Sequence, residues 1–282
     1  MDLVQFIQER NRIRDLKDSG APWPWTDDPI LRENIISNID CEDDYTTRWL
    51  KANWRDPHED DPELWFAISV FRRGINAPNS LPYPVPWRPV TYEKTPIKTS
   101  NAYKLIVGHK RSSGGFHGTN KEMLIYYVYN PLWKKRELYR PVLNESHESY
   151  YQRLSAAPWM GGWYAYRVIC DLKYTKWLRN SPDWWTWLHL GPGTIRGLNR
   201  VMGRKTNLGV FRGDGGVVIN LPKEKKRKYE QEVNDLRISL GLEHLNAQVV
   251  GGALCEFDKY ERMRLGEGSL RKYEHHHRNQ GN

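Results

Sequence analysis

The sequence predicts a mainly α-helical fold with a small β-hairpin insertion. Three observations carry that prediction. Apolar residues recur at helical spacing along most of the chain, only one pair of segments reads as paired strands, and no repeat or linker interrupts the pattern. The expected organisation is one helical domain over residues 1–265, with the insertion at about 103–130 and a basic tail at 266–282.

The elements follow in order. Val4, Phe6, Ile7, Ile13 and Leu16 lie at near-helical spacing, and Gly20 ends the segment. PWPWTDDP (22–29) is a rigid aromatic connector in which Asp27 or Asp28 can cap a helix starting at Pro29. Helical patterns continue at about 43–54 and 61–73, and residues 77–99 form a proline-rich extended loop. KLIVG (104–108) and MLIYYVYN (123–130) flank a Gly/Ser/Lys-rich tip and predict the β-hairpin. Helices are expected again at 145–156 and 162–178. Asp183 opens a short segment, DWWTWL, ahead of a Gly-Pro-Gly turn and a helix at 194–202. The stretch 222–241 reads as a solvated helix between a proline and a glycine, and a last helix spans about 246–264.

Composition narrows the partners. The 282 residues carry a formal net charge of +9, which favours a polyanion. Thirteen tryptophans and sixteen tyrosines suit base stacking as well as core packing. Cys41, Cys170 and Cys255 are scattered, with neither a disulfide pattern nor zinc spacing. No run approaches the roughly 20 apolar residues of a membrane span, so no membrane partner is expected. His275, His276 and His277 read as part of a solvated tail.

The turn in WLHLGPGTIRGLNR (187–200) has three readings. A dinucleotide fingerprint needs a preceding strand, which WWTWLHL hardly provides. A P-loop is absent, since the nearest approach, Gly197 to Thr206, has the wrong spacing. A helix-hairpin-helix remains. In it Gly191 and Gly193 let backbone approach a DNA phosphate, while Arg196 and Arg200 share the next helix face. A plain tight turn with a solvated arginine face accounts for the stretch equally well, and Pro192 removes one amide donor.

ALCEFDKYER (253–262) packs Glu256, Asp258, Lys259 and Arg262 beside Cys255. That is either a salt-bridged helix surface or a site with a carboxylate base and phosphate-holding cations. The amino-terminal block sets arginines among Trp23, Trp25, Asp27 and Asp28, as a base pocket or a packed connector would. Asp171 in GGWYAYRVICDLKYT is a candidate site carboxylate or a buried, paired aspartate.

Together ERNRIRDLKDSGAPWPWTDDPIL, DDYTTRWL, GGWYAYRVICDLKYT, GPGTIRGLNR and ALCEFDKYER resemble the alpha-glutamyl/putrescinyl thymine pyrophosphorylase family, also labelled the 5-hydroxymethyluracil DNA kinase helical domain. The blocks run from about residue 5 to 265. The resemblance implies a helix-hairpin-helix, DNA-glycosylase-like helical fold and a phage-encoded enzyme of thymine hypermodification in the host cytoplasm. Its expected substrate is double-stranded DNA whose 5-hydroxymethyluracil was phosphorylated or pyrophosphorylated by a separate DNA base kinase upstream. The expected reaction replaces that leaving group with a small amine or amino acid, such as putrescine.

Carried over by position, the resemblance assigns substrate binding to Arg10, Trp23, Trp25, Thr26, Asp28 and Arg48. DNA contact falls to Gly191, Gly193, Arg196 and Asn199, joined by Arg200 from the helix face. Chemistry falls to Glu256 or Asp258 as base, Lys259 and Arg262 on the phosphate, and Asp171 orienting base or amine. Cys255 is the one motif residue soft enough for transient addition to the ring. A divalent metal at the leaving phosphate stays open as a cofactor, with no metal ligands assigned. On this reading the hairpin is set apart from the chemistry. Two alternatives stand beside it: a non-catalytic DNA-binding module serving the kinase, and a glycosylase if Asp214 is catalytic.

Overall fold

The computed structural model describes residues 1–75, 83–88, 120–213, 216–219, 221–270 and 272. It is mainly helical. In chain order the helices are α1 (Leu3–Asp18), α2 (Pro29–Glu33), α3 (Tyr45–Leu50), α4 (Leu64–Val70), α5 (Asn120–Leu124), α6 (Asn130–Lys134), α7 (Arg136–Tyr139), α8 (His147–Ser155), α9 (Trp163–Leu172), α10 (Pro192–Val201), α11 (Lys223–Ser239) and α12 (Ala247–Arg264). Strands β1 (Val210–Gly213) and β2 (Gly216–Ile219) form an antiparallel pair, with Val210 opposite Ile219.

Local chemistry sets the boundaries. Asp2 and Gln5 close a capping box on α1, and Gly20 leaves it at φ +74°. The Asp28 carboxylate accepts the amides of Ile30 and Leu31, so it caps α2 with Pro29 in the first turn. Asn246 caps α12 through the Val249 amide. Asp183 opens no helix, because residues 182–186 are turns; instead it accepts the His147 and Glu148 amides at the start of α8.

The strand expected at 123–130 is corrected. Residues 120–134 are helical, with a π-helical turn at Ile125–Tyr129 between α5 and α6. Aromatic and β-branched content suggested a strand, but Met123, Leu124, Val128, Tyr129 and Leu132 are buried at helical spacing while Tyr126 is exposed. The partner segment 104–108, most of the loop 77–99, Asp214 and the histidine tract lie outside the described residues.

Contacts divide the chain into two compact units, Met1–Asp44 with Trp185–Asn282, and Tyr45–Trp184. The second unit is built on buried aromatics, including Trp54, Trp65, Phe66, Phe71 and Tyr150. Inside it the Asp171 carboxylate takes a two-pronged contact from Arg72, at 2.6 and 2.5 Å, and Arg72 also donates to Thr47. Both charged groups are buried, so Asp171 is the paired structural aspartate.

In the first unit Phe6 packs on Phe257 and Tyr260, and α10 lies along α12. Two glycines allow that close approach. A Cβ at Gly197 would sit 2.0 Å from the Leu254 carbonyl oxygen, and one at Gly193 would sit 2.3 Å from Cys255 Sγ. Backbone cannot yield as a side chain can. Gly197→Ala is therefore expected to lower stability by about 1–3 kcal/mol, read as an earlier urea midpoint. Glycine 203, at φ +65° in open space, is the comparison site where loss of stability comes from backbone strain alone.

Candidate phosphate-binding pocket

The close packing of α10 on α12 creates a pocket within the first unit. It is lined by Pro192, Gly193, Arg196, Cys255, Asp258, Lys259 and Arg262, and holds about 180 Å³. Ligand clefts usually run to roughly 300–1,000 Å³, so this one suits a single phosphoryl-sized group. The first residues of α10 form part of its wall, which turns the positive end of that helix toward the space. No side chain caps that helix start.

Asp258 organises the cations. It is 2 % exposed, and Arg200 Nε donates to Oδ1 at 2.8 Å. Arg196 Nε and Arg262 Nε both lie 3.3 Å from Oδ2. Arg200 also pairs with Glu267. Burial works against the Arg200 charge, but its hydrogen bonds to Asp258 and Glu267 outweigh it and hold the guanidinium firmly ionised. With its oxygens shared among three guanidinium groups, Asp258 positions cations and is poorly placed to take a proton from an amine.

Glu256 stands behind Lys259 and does not line the pocket. Its Oε1 accepts from Lys259 Nζ at 2.5 Å, and its Oε2 accepts the Ser37 amide at 3.0 Å. Burial opposes charge on Lys259, yet the Glu256 carboxylate more than compensates and raises its pKa. Lys259 is thus a cation at neutral pH. Arg196, Lys259 and Arg262 supply three positive groups around one small space, while Asp258 holds two of them by its edge.

The surroundings of Cys255 disfavour its thiolate. Burial pushes its thiol up to about 11, and Glu256 adds to the shift. A thiol in that range is protonated at neutral pH and weakly nucleophilic. Alkylation of Cys255 by iodoacetamide is expected to be slow at pH 7 and to accelerate as pH rises toward 11. A rate plateau near pH 8 would contradict this assignment.

The remaining sequence candidates divide by surroundings. Gly191, Gly193, Arg196, Arg200, Cys255, Asp258, Lys259 and Arg262 gather on α10 and α12, so the hairpin turn is not set apart from the candidate chemistry. Asn199 is 0 % exposed and donates to the carbonyls of Leu208 and Thr206, which leaves no face for DNA. Arg10 is buried and holds the carbonyls of Ile36 and Ser37. Thr26 donates to Glu9, and the Asp28 carboxylate accepts from Tyr260. Trp25 donates to the Ala21 carbonyl, and Trp23 is half exposed. Trp25, Thr26 and Asp28 thus brace the connector 21–28, Arg10 holds residues 36–37, and none of them lines the pocket. Arg48 is exposed on α3, in the unit that also holds Asp171. Sequence reasoning missed Glu267, whose one signal is an isolated acid in the basic segment RLGEGSLRK. Among the described residues no three His, Cys, Asp or Glu side chains come together as a metal site, so the pocket offers a divalent ion no ready-made protein cage.

Fold and pocket together define a mainly helical protein with a small pocket lined by three cationic side chains. A family model described as 5-hmdU DNA kinase, helical domain matches residues 1–76 and 100–269, and the chain belongs to that family. The match carries the family and nothing of the narrower pyrophosphorylase activity. Neither curated proteins nor solved structures give a match. No described helix is long and apolar enough to cross a membrane.

Proposed function

We propose that this protein acts on double-stranded DNA bearing phosphorylated or pyrophosphorylated 5-hydroxymethyluracil and replaces that group with an amine. The supporting observation is the pocket itself, where Arg196, Lys259 and Arg262 surround a space sized for one phosphoryl group. In the proposed reaction the amine nitrogen forms a bond to the C5 methylene. The carbon–oxygen bond breaks, its electron pair departs on the phosphate, and the surplus amine proton is released. The growing negative charge on the departing phosphate is the feature these cations would stabilise. A separate kinase would supply the phosphorylated base.

A second reading has an observation of its own. Asp258 and Glu256 are both committed to neighbouring cations, so the pocket wall lacks an uncommitted carboxylate to serve as base. A module that holds DNA phosphate for a partner kinase would need no base. One experiment separates the readings. The protein is incubated with kinase-treated hydroxymethyluracil DNA and a panel of amines, and the nucleosides are identified by mass spectrometry. An amine adduct is the expected result. Unchanged base would replace the transferase reading with the binding role, and an abasic site would indicate a glycosylase.

A further inference from the structure

We propose that the exposed amino-terminal turns of α11 form a second DNA-contact site, which grips backbone phosphates away from the pocket. The helix opens Lys223, Glu224, Lys225, Lys226, Arg227, Lys228, and the first residue it buries is Tyr229. Six residues therefore precede the first buried side chain of the helix, a stretch of about 9 Å at helical rise, and Leu221 just before them packs on the core.

The charge pattern there opposes helix stability. The amino end of a helix carries positive partial charge, so cations in its first turn are unfavourable there. Lys223 with Arg227, and Lys225 with Lys228, are like charges at helical spacing and add repulsion. Relief is sparse. Lys226 reaches Glu230 at 3.7 Å, whereas Glu224 makes no ion pair with these cations. The acids that would suit this end, Glu230, Glu232 and Asp235, sit farther along the helix. A solvated helix selected for stability alone would carry the opposite order of charge. A sequence that works against its own helix at one place marks a site with another use.

The same end is held firmly in place. Tyr229 donates to Asn199 Oδ1 at 3.2 Å, and Arg204 pairs with Glu232 at 2.8 Å. These bonds tie α11 to the end of α10 and the loop that follows. An exposed cluster of cations on a fixed helix end fits a regular polyanion, whose phosphates both neutralise the lysines and meet the helix's positive end. The pocket is lined from Pro192, Gly193 and Arg196 on α10, whereas α11 is tied to that helix farther along, at Asn199, and none of its cations lines the pocket.

This inference rests on the reading of DNA as the partner, and its test keeps the two separable. In the variant Lys223→Gln, Lys225→Gln, Arg227→Gln, Lys228→Gln, binding of an unmodified duplex is measured across salt concentrations. Binding of inorganic pyrophosphate is measured in parallel. The expected result is a salt dependence shallower by about three to four in log–log slope, since each phosphate contact contributes about 0.9. Pyrophosphate affinity and far-ultraviolet circular dichroism stay unchanged, and the melting temperature stays level or rises as repulsion is removed. An unchanged slope with intact duplex binding overturns the α11 site and leaves the pocket reading standing. A wild-type protein that binds no duplex also overturns it. A shallower slope in a protein that binds no pyrophosphate and forms no adduct supports the α11 site and removes the pocket reading.

Discussion

Asp258→Asn is expected to destabilise the first unit by about 3 kcal/mol, seen as a lower urea midpoint at unchanged slope. The carboxylate is buried and shared by Arg196, Arg200 and Arg262. Removing one member of a buried charge group generally costs about 3–5 kcal/mol, because the partners are left desolvated without compensation. Arg196 and Arg262 retain some contact with water, which places the effect at the lower end of that range. Glu267→Gln is the matched control. Glu267 also meets Arg200 but is exposed, so its loss is expected to move the urea midpoint far less than the loss of Asp258. Equal effects from the two variants would mean that Asp258 does not organise the cluster.

That contrast marks where the sequence was legible. Capping and periodicity are local properties, so α1, Asp28 at the start of α2, and the proline and glycine bounds of α11 could be read directly. The i,i+4 pair Asp258–Arg262 was visible in the same way. What brings Arg196 and Arg200 onto Asp258 is the close approach of α10 and α12 at Gly193 and Gly197. Those glycines read as turn and helix residues until their partner helix is known. Asn199 and Arg10 show the reverse limit. Polar motif residues invite a ligand role, yet both satisfy backbone carbonyls, Asn199 those of the loop that follows its helix and Arg10 those of residues 36 and 37, and no spacing rule reveals such partners. The segment 123–130 misled because Tyr, Val and Ile favour strands in isolation, whereas burial at helical spacing decided its conformation. The strand pair 210–213 and 216–219 had its own signal, Val-Phe on one side and Val-Val-Ile on the other of a Gly-Asp-Gly-Gly stretch.

The second large effect falls on binding and leaves the fold intact. Arg262→Gln is expected to weaken pyrophosphate binding by roughly 10–100-fold, the range for losing about 1.5–3 kcal/mol of charged hydrogen bonding. Turnover on phosphorylated hydroxymethyluracil DNA is expected to fall with it. Stability should hold, because Asp258 keeps Arg196 and Arg200 after the change. Arg262→Lys tests geometry against charge. A lysine restores the positive group but not the planar two-pronged donor, so partial recovery is expected for a phosphate-holding residue. The α11 change Lys225→Gln is the complementary control and should leave pyrophosphate binding untouched, since Lys225 does not line the pocket. If Arg262→Gln leaves pyrophosphate binding at the wild-type level, this arginine serves only to neutralise Asp258, and the phosphate site must be sought elsewhere.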